Sequence, residues 1–466
     1  MTIYKTEEKV SIYISAAHKS SGKTIISLGL SRILSDLNNE IQTFKKGPDY
    51  IDMGWLSLSS RKNCYNLDFN TQTNEEIVSL YNEKKLKVNL IEGNKGLYDG
   101  VDLDGKNDNS ALSILIDSPV ILVIDTQGIT RGIAPLLQGY INFEKKCNIQ
   151  GVILNKISSE RHENKLINAV KKYTDLKVLG AIRKNKDLEI AERHLGLIPA
   201  NEKNLASKKI NKISNIIFNS IDQNEFSKIG IEFKEKKIQK IKKNIYSIPN
   251  NKAKIKIGIF QDSSFGFYYS DDIDNFKKYN IKLVNINAQV DKNIKNVDAL
   301  FIGGGFPEIH AAKLEKNKIL MNEIKKHIKN GMPCYAECGG LMYLSESIIF
   351  KDKKFKMVGI IPGSVYMSEK PIGKGYVVLK VKKNHLWNMK KNMIINAHEF
   401  HHGNLRLNEN NKINFSYSIR RGYGINGKSD GIIYKNLLAN FIHLRHTKNY
   451  PWIKYFIDFI RENLND

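Results

Sequence analysis

The sequence predicts an α/β protein built from two consecutive α/β domains, and three observations support this expectation. The chain has 466 residues, which exceeds the length of one ordinary domain. Short apolar runs alternate along it with segments whose apolar residues have helical spacing. Glycine-containing turns follow two of these runs, near residues 22 and 339. Together they predict a doubly wound parallel sheet at the N-terminus, followed by a second α/β domain.

The first domain begins with residues 10–15, which are apolar and β-branched and therefore predict a buried strand. Residues 25–37 have helical spacing. Three further apolar runs have the length and composition of buried parallel strands, at residues 88–91, 120–124 and 151–154. Helical segments lie between them, and this alternation predicts a βαβ series.

Residues 201–252 differ in composition from the segments on either side, because they are rich in Lys, Asn, Ile and Ser. Two amphipathic stretches, 208–221 and 233–245, indicate helices that pass into an interdomain linker. We therefore place the two domains at 1–200 and 253–466. The second domain has predicted strands at 254–260, 281–287, 299–302 and 332–336, followed by antiparallel segments at 357–382 and 394–422.

The charge balance is strongly basic, with 73 Lys and Arg against 48 Asp and Glu and a net charge of +25. Three explanations are open: a nucleic-acid partner, an acidic small-molecule substrate, or compositional drift in a chain rich in Lys, Asn and Ile. The basic residues fall in scattered runs with few aromatic residues between them. This arrangement argues against a nucleic-acid groove.

The cysteine count and the hydropathy pattern restrict the cellular setting. Four cysteines in a chain of this length do not make a disulfide framework, and their spacing does not match a zinc site. No run of about 18 uncharged apolar residues predicts a transmembrane helix. The first residues lack the apolar segment of a signal peptide. We expect a cytoplasmic protein without a membrane partner.

A phosphate-binding loop is predicted directly after the first strand. The pattern G-x-x-x-x-G-K-[ST] is met except that Ala17 stands at its first glycine position. In such a loop, backbone N–H groups surround phosphate oxygens, Lys23 reaches the terminal phosphates, and Thr24 holds Mg²⁺. Asn155, after a later strand, is a candidate for contact with the nucleotide base or an ordinary turn residue. The predicted loop residues are His18, Lys19, Ser20, Ser21, Gly22, Lys23 and Thr24.

Acidic residues follow two other strands, at the sheet edge where ligands of open α/β sheets bind. Glu92 comes directly after an apolar run and is placed to hold Mg²⁺ together with Thr24. Asp49, Asp52 and Asp99 lie on loops expected at the same edge. A lone Asp would be an ordinary turn residue, but four acids opposite a phosphate loop predict a functional cluster.

Cys338 ends a short apolar run and precedes two glycines and a helical pattern. This is the layout of a nucleophile on a tight strand-to-helix turn, where helix N–H groups favour the thiolate. A buried structural cysteine is the alternative. Backbone N–H groups of Gly304 and Gly305, after another predicted strand, are candidates for stabilising an oxyanion. His443 is a candidate base for the thiol. Four other histidines compete for that role: His398, His401, His402 and His446.

Five motifs, in order along the chain, resemble the cobyrinic acid a,c-diamide synthase family. They lie at residues 44–52, 92–100, 192–197, 303–308 and 335–344. The resemblance covers nearly the whole chain. It implies an N-terminal dethiobiotin-synthetase-like ATP domain with a P-loop and a C-terminal class I glutamine-amidotransferase-like α/β domain.

The resemblance also implies an activity. Glutamine is hydrolysed at the cysteine, ATP phosphorylates a peripheral carboxylate of a tetrapyrrole, and ammonia displaces the phosphate. The a and c carboxylates are amidated in turn. The implied partners are L-glutamine, ATP and a polyanionic tetrapyrrole, the implied cofactor is Mg²⁺, and a homodimer is one of the open oligomeric states.

Site residues follow from the same resemblance. Cys338 is implied as the nucleophile and His443 as its base. The acidic residues that match positions tied to metal binding and carboxylate activation are Asp49, Asp52, Glu92 and Asp99, and the implied metal ligands are Thr24, Asp49 and Glu92. Tyr50 and Ile51 match positions linked to substrate choice.

The chain departs from the family pattern in places. Ala191 replaces a usual proline, and Arg445 replaces the second histidine of a His-Leu-His-Phe motif. No Glu lies two residues after His443, so we expect a cysteine–histidine pair, and what supports the histidine stays open.

Two alternatives to cobyrinate amidation are carried forward. The family includes members that act on sirohydrochlorin, its nickel complex or sirohaem, so the macrocycle is open. A P-loop partition or scaffold ATPase would explain the charge and the phosphate loop, but not Cys338 with its glycine partners.

Overall fold

The structure is a computed structural model that describes residues 9–37, 40–190, 192–193, 196–197, 203–229, 255–409 and 412–464. The chain divides into two compact units, Met1–Lys242 and Lys243–Asp466. The described residues of both units are α/β, as the sequence predicts. None of the helices in these residues has the length and hydropathy needed to cross a bilayer.

The first unit contains a parallel sheet. Its strands are β1 (Val10–Ala16), β2 (Ile41–Lys46), β3 (Tyr65–Leu67), β4 (Val88–Glu92), β5 (Val120–Asp125), β6 (Ile149–Ile157) and β7 (Lys177–Arg183). In the described residues these seven strands pair in the order β3-β2-β4-β1-β5-β6-β7. A short antiparallel pair follows, β8 (Glu192–Arg193) and β9 (Gly196–Leu197).

Helices cover both faces of this sheet. They are α1 (Lys23–Asp36), α2 (Tyr50–Ser60), α3 (Asn74–Lys84), α4 (Asn109–Leu115), α5 (Ile133–Phe143), α6 (Glu160–Tyr173), α7 (Lys203–Ser220) and α8 (Gln223–Phe226). Alternate residues of β1 enter different apolar clusters, with Ile12 and Ile14 in one and Tyr13 in the other. A strand buried on both faces needs the continuous apolar composition that the sequence shows.

Helix α7 corresponds to the amphipathic stretch predicted at 208–221, and it packs on the first unit. A Cβ atom at Gly29 of α1 would lie 2.5 Å from Ile217 Cγ1 of α7, so a glycine allows the two helices to approach. The second predicted stretch, 233–245, lies outside the described residues. The division between the two units, after Lys242, falls within the predicted linker.

The sheet order brings separate motifs to one edge. Strand β4 lies between β1 and β2, and the carboxyl ends of parallel strands meet at the same edge of a sheet. Residues after β1, at the end of β4 and at the end of β2 are therefore neighbours. These are the phosphate loop, Glu92, and the segment that leads to Asp49.

The second unit has a mixed sheet. Its strands are β10 (Lys256–Phe260), β11 (Phe265–Phe267), β12 (Lys282–Ile286), β13 (Ala299–Ile302), β14 (Gly304–Gly305), β15 (Cys334–Glu337), β16 (Ser345–Phe350), β17 (Lys353–Lys356), β18 (Ile361–Met367), β19 (Gly373–Val381), β20 (Ile394–His401), β21 (Gly403–Leu407), β22 (Asn414–Arg421), β23 (Ser429–Tyr434) and β24 (Leu437–Asn440). Its helices are α9 (Ser270–Lys278), α10 (Ala311–Lys316), α11 (Lys318–Lys329), α12 (Gly339–Leu344) and α13 (Trp452–Leu464).

Nine of these strands, counted over the described residues, form one sheet in the order β12-β10-β13-β15-β24-β23-β22-β19-β20. The part from β12 to β24 is parallel and the rest is antiparallel. The later segments, predicted to be antiparallel, are mostly so: β18 pairs antiparallel with β21, and β19 with β20 and β22, but β18 pairs in parallel with β16. Four more strands pair in the order β17-β16-β18-β21.

Candidate functional site

The phosphate loop connects β1 to α1 by a turn with left-handed backbone. Ser20 has φ 66° and Gly22 has φ 99°, a region in which glycine is favoured. A Cβ atom at Gly22 would lie 2.2 Å from Asn155 Nδ2. The second glycine of the motif thus allows both the turn and the close approach of Asn155. His18, Lys19 and Ser20 are exposed, whereas Ser21 is buried.

Asn155 holds this loop in place. Its Nδ2 donates to the Ser21 carbonyl at 2.8 Å, and its Oδ1 accepts from the Lys156 N–H at 2.9 Å. Lys156 in turn donates to Ser20 O at 3.1 Å and pairs with Asp125 at 2.6 Å. Through these contacts Asn155 stabilises the phosphate loop. Its contact with the nucleotide base stays a prediction.

Lys23 and Thr24 begin helix α1. Lys23 Nζ donates to the Lys95 carbonyl. Burial, and then the charge of Lys45, lower the pKa of Lys23 to about 8. Thr24 Oγ1 donates to Glu92 Oε1 at 2.7 Å. The end of β4 and the start of α1 are therefore joined by a direct hydrogen bond.

Lys45 is the central cation of this edge, although no sequence pattern assigns it a role. It lies at the end of β2, and its Nζ is 2.7 Å from both Asp52 Oδ2 and Glu92 Oε1. Burial would lower the pKa of Lys45, but the two carboxylates outweigh burial and hold the pKa well above its usual value. Burial raises the pKa of Glu92, and Lys45 opposes that shift. The three side chains form one buried charge cluster.

The other predicted acids have local partners. Asp49 caps helix α2, because its Oδ1 accepts from the N–H groups of Ile51 and Asp52 at 2.9 Å each. Burial, and then Asp52, raise the pKa of Asp49 to about 7. Asp99 Oδ2 accepts from Gly96 N–H at 3.0 Å. Tyr50 and Ile51 stand in the first turn of α2 and are largely buried.

The residues at this edge fit Mg²⁺ in the manner of a nucleotide site. Among the described residues no group of three or more His, Cys, Asp or Glu is arranged as a metal site. Mg²⁺ beside a nucleotide needs only one or two protein oxygens, with phosphates and waters completing its shell. Glu92 Oε2 is buried and has no hydrogen-bond partner among the described residues. Together with the Thr24 hydroxyl it offers the hard oxygen ligands that the ion requires.

Cys338 lies in the second unit on a strained turn between β15 and α12. Its backbone has φ 48° and ψ −101°, which is rare for a residue with a side chain. Its N–H donates to the Asn440 carbonyl at 2.7 Å, which fixes the turn to β24. The strand–cysteine–helix layout predicted from the sequence is present.

Two glycines that follow Cys338, and one in β14, leave the space that this turn needs. A Cβ atom at Gly340 would lie 2.1 Å from the Ile302 carbonyl, and one at Gly339 would lie 3.0 Å from Gly305 N. A Cβ atom at Gly304 would lie 2.6 Å from His443 Cε1. The predicted oxyanion glycines are therefore packed against both the turn of Cys338 and the ring of His443.

His443 is the histidine that contacts Cys338. It is buried, its side chain hydrogen bonds with the Cys338 thiol, and its Nδ1 donates to Glu337 Oε2 at 3.4 Å. Burial would lower the pKa of His443, but the bonds to Cys338 and Glu337 outweigh burial and raise it to about 10. This environment favours the imidazolium form of His443.

The competing histidines have other surroundings. His398 stacks on His443 with ring centroids 4.9 Å apart, and burial holds its pKa well below the usual value. His401 Nδ1 bonds to Gly403 O at 2.9 Å, and His402 Nδ1 bonds to Ser368 O at 2.8 Å. Burial lowers the pKa of His446 to about 3, and its Nδ1 accepts from a backbone N–H at 3.2 Å.

Two residues near His443 answer questions that the sequence left open. Arg445, at the altered motif position, is buried, with Nε and Nη2 3.2 and 3.0 Å from Asp271 Oδ2 and its guanidinium over the Tyr269 ring. It therefore has a packing role in this unit. Glu337 gives the expected cysteine–histidine pair an acidic neighbour, at the place where the sequence left the support of His443 open. No spacing rule points to Glu337, because it precedes the cysteine instead of following the histidine.

Comparisons with known proteins assign both halves of the chain. Residues 14–198 match the CobQ/CobB/MinD/ParA nucleotide binding domain, and residues 256–451 match the CobB/CobQ-like glutamine amidotransferase domain. The second match shows that this chain is not a nucleotide-binding domain alone. A glutamine amidotransferase from Thermotoga maritima of known structure matches 46% of this chain and 87% of its own, at 13% identity and a TM-score of 0.31.

Full-length relatives carry one name. The cobyrinate a,c-diamide synthase of Magnetococcus marinus is 34% identical, with 97% of each chain covered. The enzyme of the same name from Archaeoglobus fulgidus is 36% identical, with 93% of each chain covered. The resemblance seen in the five motifs is thereby confirmed, and the protein is an ATP-dependent carbon–nitrogen ligase that uses glutamine as its nitrogen donor. The chain belongs to the cobyrinate a,c-diamide synthase family.

Proposed function

We propose that this protein converts cobyrinate to cobyrinate a,c-diamide, with ATP and glutamine as co-substrates. Its full-length relatives carry that name. The observation that carries the proposal is the presence in one chain of a cysteine–histidine site and a phosphate loop beside buried carboxylates. The first site would release ammonia, and the second would activate the carboxylate that receives it.

In the proposed glutaminase reaction, the Cys338 thiolate attacks the side-chain carbonyl carbon of glutamine. Backbone N–H groups of Gly304 and Gly305 stabilise the oxyanion that forms. His443 gives its proton to the amide nitrogen as the carbon–nitrogen bond breaks, and ammonia leaves. Water then attacks the thioester, passes a proton to His443, and releases glutamate and the thiol.

In the proposed synthetase reaction, a carboxylate oxygen of the macrocycle attacks the γ-phosphorus of ATP, and ADP leaves. Ammonia attacks the resulting acyl phosphate, loses a proton, and displaces inorganic phosphate to give the amide. Activation is needed because a free carboxylate is a poor acyl donor. The phosphate loop and Lys23 hold the nucleotide, which makes this step chiefly one of positioning and charge stabilisation.

The remaining site residues have proposed tasks of their own. Bound Mg²⁺ would neutralise charge on the phosphates, held by Thr24 and Glu92. Asp49 is also a proposed ligand, although one of its oxygens caps α2. Asp52 and Asp99 are proposed to support carboxylate activation. Tyr50 and Ile51 are proposed to contact the macrocycle. Nucleotide binding is proposed for the loop residues and Asn155.

The experiment that tests this proposal is Cys338→Ser. The variant should lose glutamine-dependent amidation and keep ammonia-dependent amidation, because only the ammonia source is removed. Retention of glutamine-dependent turnover would contradict the proposal. Light scattering on the same samples would show whether the protein forms a homodimer.

The macrocycle is tested separately. Cobyrinate, sirohydrochlorin, nickel sirohydrochlorin and sirohaem would be offered in competition, with the products analysed by mass spectrometry. We expect two amides on cobyrinate and none on the other three. Preferential amidation of any of the others would replace cobyrinate as the substrate.

A further inference from the structure

We propose that Glu337, the residue directly before the nucleophile, is the positioning residue for His443. It would hold the imidazole by Nδ1, so that Nε2 faces the thiol. This inference rests on the proposed glutaminase function. It adds Glu337 to Cys338 and His443 as a third residue of that site. The acid comes from the nucleophile strand, not from the segment that follows the histidine.

The two oxygens of Glu337 have different partners. Oε2 accepts from His443 Nδ1 at 3.4 Å, and Oε1 accepts from the Leu444 N–H at 2.9 Å and from the Tyr335 hydroxyl. Leu444 follows His443 directly, so the carboxylate is fixed to the same backbone segment that carries the imidazole. Asn440 in turn holds the Tyr335 hydroxyl, because its Nδ2 donates to Tyr335 Oη at 3.1 Å.

Burial makes this contact effective. The side chains of Glu337 and His443 are 3% and 2% exposed, so water does not compete for the Nδ1 proton. A carboxylate beside a buried imidazole favours the imidazolium more strongly than it would in water. Since one carboxylate oxygen already has two donors, the other is left in a single orientation toward His443.

The ring of His443 is also fixed through its face. The His398 ring lies nearly parallel to it, at an interplanar angle of 14°. The two backbones are bridged, with His443 N–H donating to His398 O at 2.9 Å. Tyr269 contacts His398 Nδ1 at 3.0 Å. Stacking restricts the plane of the ring, and the contact with Glu337 fixes which ring nitrogen faces the acid.

The chemical consequence concerns one proton. The Cys338 thiol transfers its proton to His443 Nε2 when the thiolate forms, and the ring then carries a proton on each nitrogen. Glu337 stabilises this cation without taking the proton from Nδ1. Glu337 and Cys338 act on the ring of His443, His398 stacks on it, and Arg445 acts on His398.

The test is Glu337→Gln, which keeps the shape and removes the charge. We expect glutamine-dependent turnover to fall by roughly 10²- to 10⁴-fold, as for other buried acids that orient a catalytic histidine. Ammonia-dependent amidation should be unchanged. The rate of Cys338 alkylation by iodoacetamide, followed by peptide mass spectrometry, should shift to higher pH, because the thiolate loses its stabilised counterion.

Glu399→Gln is the matched control. Glu399 is also a buried glutamate of this unit beside a histidine, with 3.7 Å between its Oε2 and His401 Nε2, but it has no contact with Cys338 among those described for it. Its variant should leave the alkylation profile of Cys338 unchanged. Glu337→Asp keeps the charge on a shorter side chain and should recover part of the lost rate, with a smaller shift of the profile.

Each outcome decides the inference. An alkylation profile of Glu337→Gln equal to that of the parent would overturn it. If Glu337→Gln does not fold, as judged by loss of ammonia-dependent turnover, the same comparison is made with Glu337→Asp, and an unshifted profile there overturns it. Failure of the Cys338→Ser experiment would instead remove the proposed function itself.

Discussion

Lys45 shows how one residue can decide the chemistry of a sheet edge. Its ammonium is buried between two carboxylates, each 2.7 Å away. A buried cation with two anions is stable only when every member is present, because an unpaired buried charge is costly. Lys45 therefore holds Asp52 and Glu92 in place before a nucleotide arrives, and its charge opposes the rise that burial causes in the pKa of Glu92.

Replacement of Lys45 by Met should be strongly destabilising. We expect the free energy of unfolding to fall by roughly 3–5 kcal/mol, because the buried Glu92 and the partly buried Asp52 lose their cation. Ammonia-dependent amidation should be lost as well. Urea unfolding and turnover measure the two effects. Lys62→Met, at an exposed lysine, is the control and should change neither. A Lys45→Met protein as stable as the parent would show that the cluster is not coupled.

Lys23 predicts a pH dependence for nucleotide binding. Its pKa is lowered to about 8 in the free protein, so its positive charge is present below that pH and is lost as pH rises through it. ATP affinity, measured by calorimetry across this range, should fall on the alkaline side. Lys23→Arg keeps its charge and should abolish that fall, because an arginine stays protonated. An affinity independent of pH in the parent would contradict this assignment.

At the residue scale, the sequence predicted local chemistry better than distant partners. Thr24 and Cys338 could be recognised because their neighbours in sequence define their surroundings. Glu337 and Lys45 could not, because Glu337 contacts His443 106 residues away and Lys45 contacts Glu92 47 residues away. In both cases the contact depends on strand order, which a list of motifs does not contain.

At the element scale, the turn at Cys338 depends on α12 approaching β13. Gly340 stands in the first turn of α12, against the Ile302 carbonyl that ends β13. No side chain fits between them. The position of the nucleophile thus depends on the packing of the following helix as well as on its own strained backbone.

Gly340→Ala should disrupt this turn. A Cβ atom 2.1 Å from a backbone oxygen forces a shift, and we expect a loss of about 1–3 kcal/mol together with most glutaminase activity. Gly139→Ala, in α5, is the control: nothing lies within 4 Å of its Cβ position, so stability should rise by about 0.4–1 kcal/mol. Thermal unfolding and glutamine hydrolysis provide the measurements. Full activity in Gly340→Ala would contradict the role of this packing.

The elements predicted from the sequence were those with continuous apolar runs. Strands β1, β4, β5 and β13 agree with their predicted positions within a few residues. Strand β2 was predicted only as a strand end before Asp49, without bounds, because Ile41–Lys46 mixes apolar and polar residues and ends in two lysines. Those lysines are buried by acidic and amide partners on other segments, which composition alone does not reveal.

At the scale of the whole molecule, the surplus of positive charge predicts that reaction with an anionic substrate depends on salt. A net charge of +25 raises the local concentration of a polyanionic substrate, and salt screens that attraction. We expect kcat/KM for cobyrinate to fall several-fold from low to high ionic strength. The kcat/KM for glutamine, a zwitterion, should change little and serves as the control. Equal salt dependence for both substrates would favour compositional drift.

On the proposed function, nitrogen released at Cys338 becomes the amide made at the phosphate loop. The most direct measurement supplies amide-¹⁵N glutamine together with unlabelled ammonium and determines the isotope in the product by mass spectrometry. We predict ¹⁵N in both new amides for the parent protein, and unlabelled nitrogen in both for Cys338→Ser. Labelled amides from Cys338→Ser, or unlabelled amides from the parent, would contradict the account.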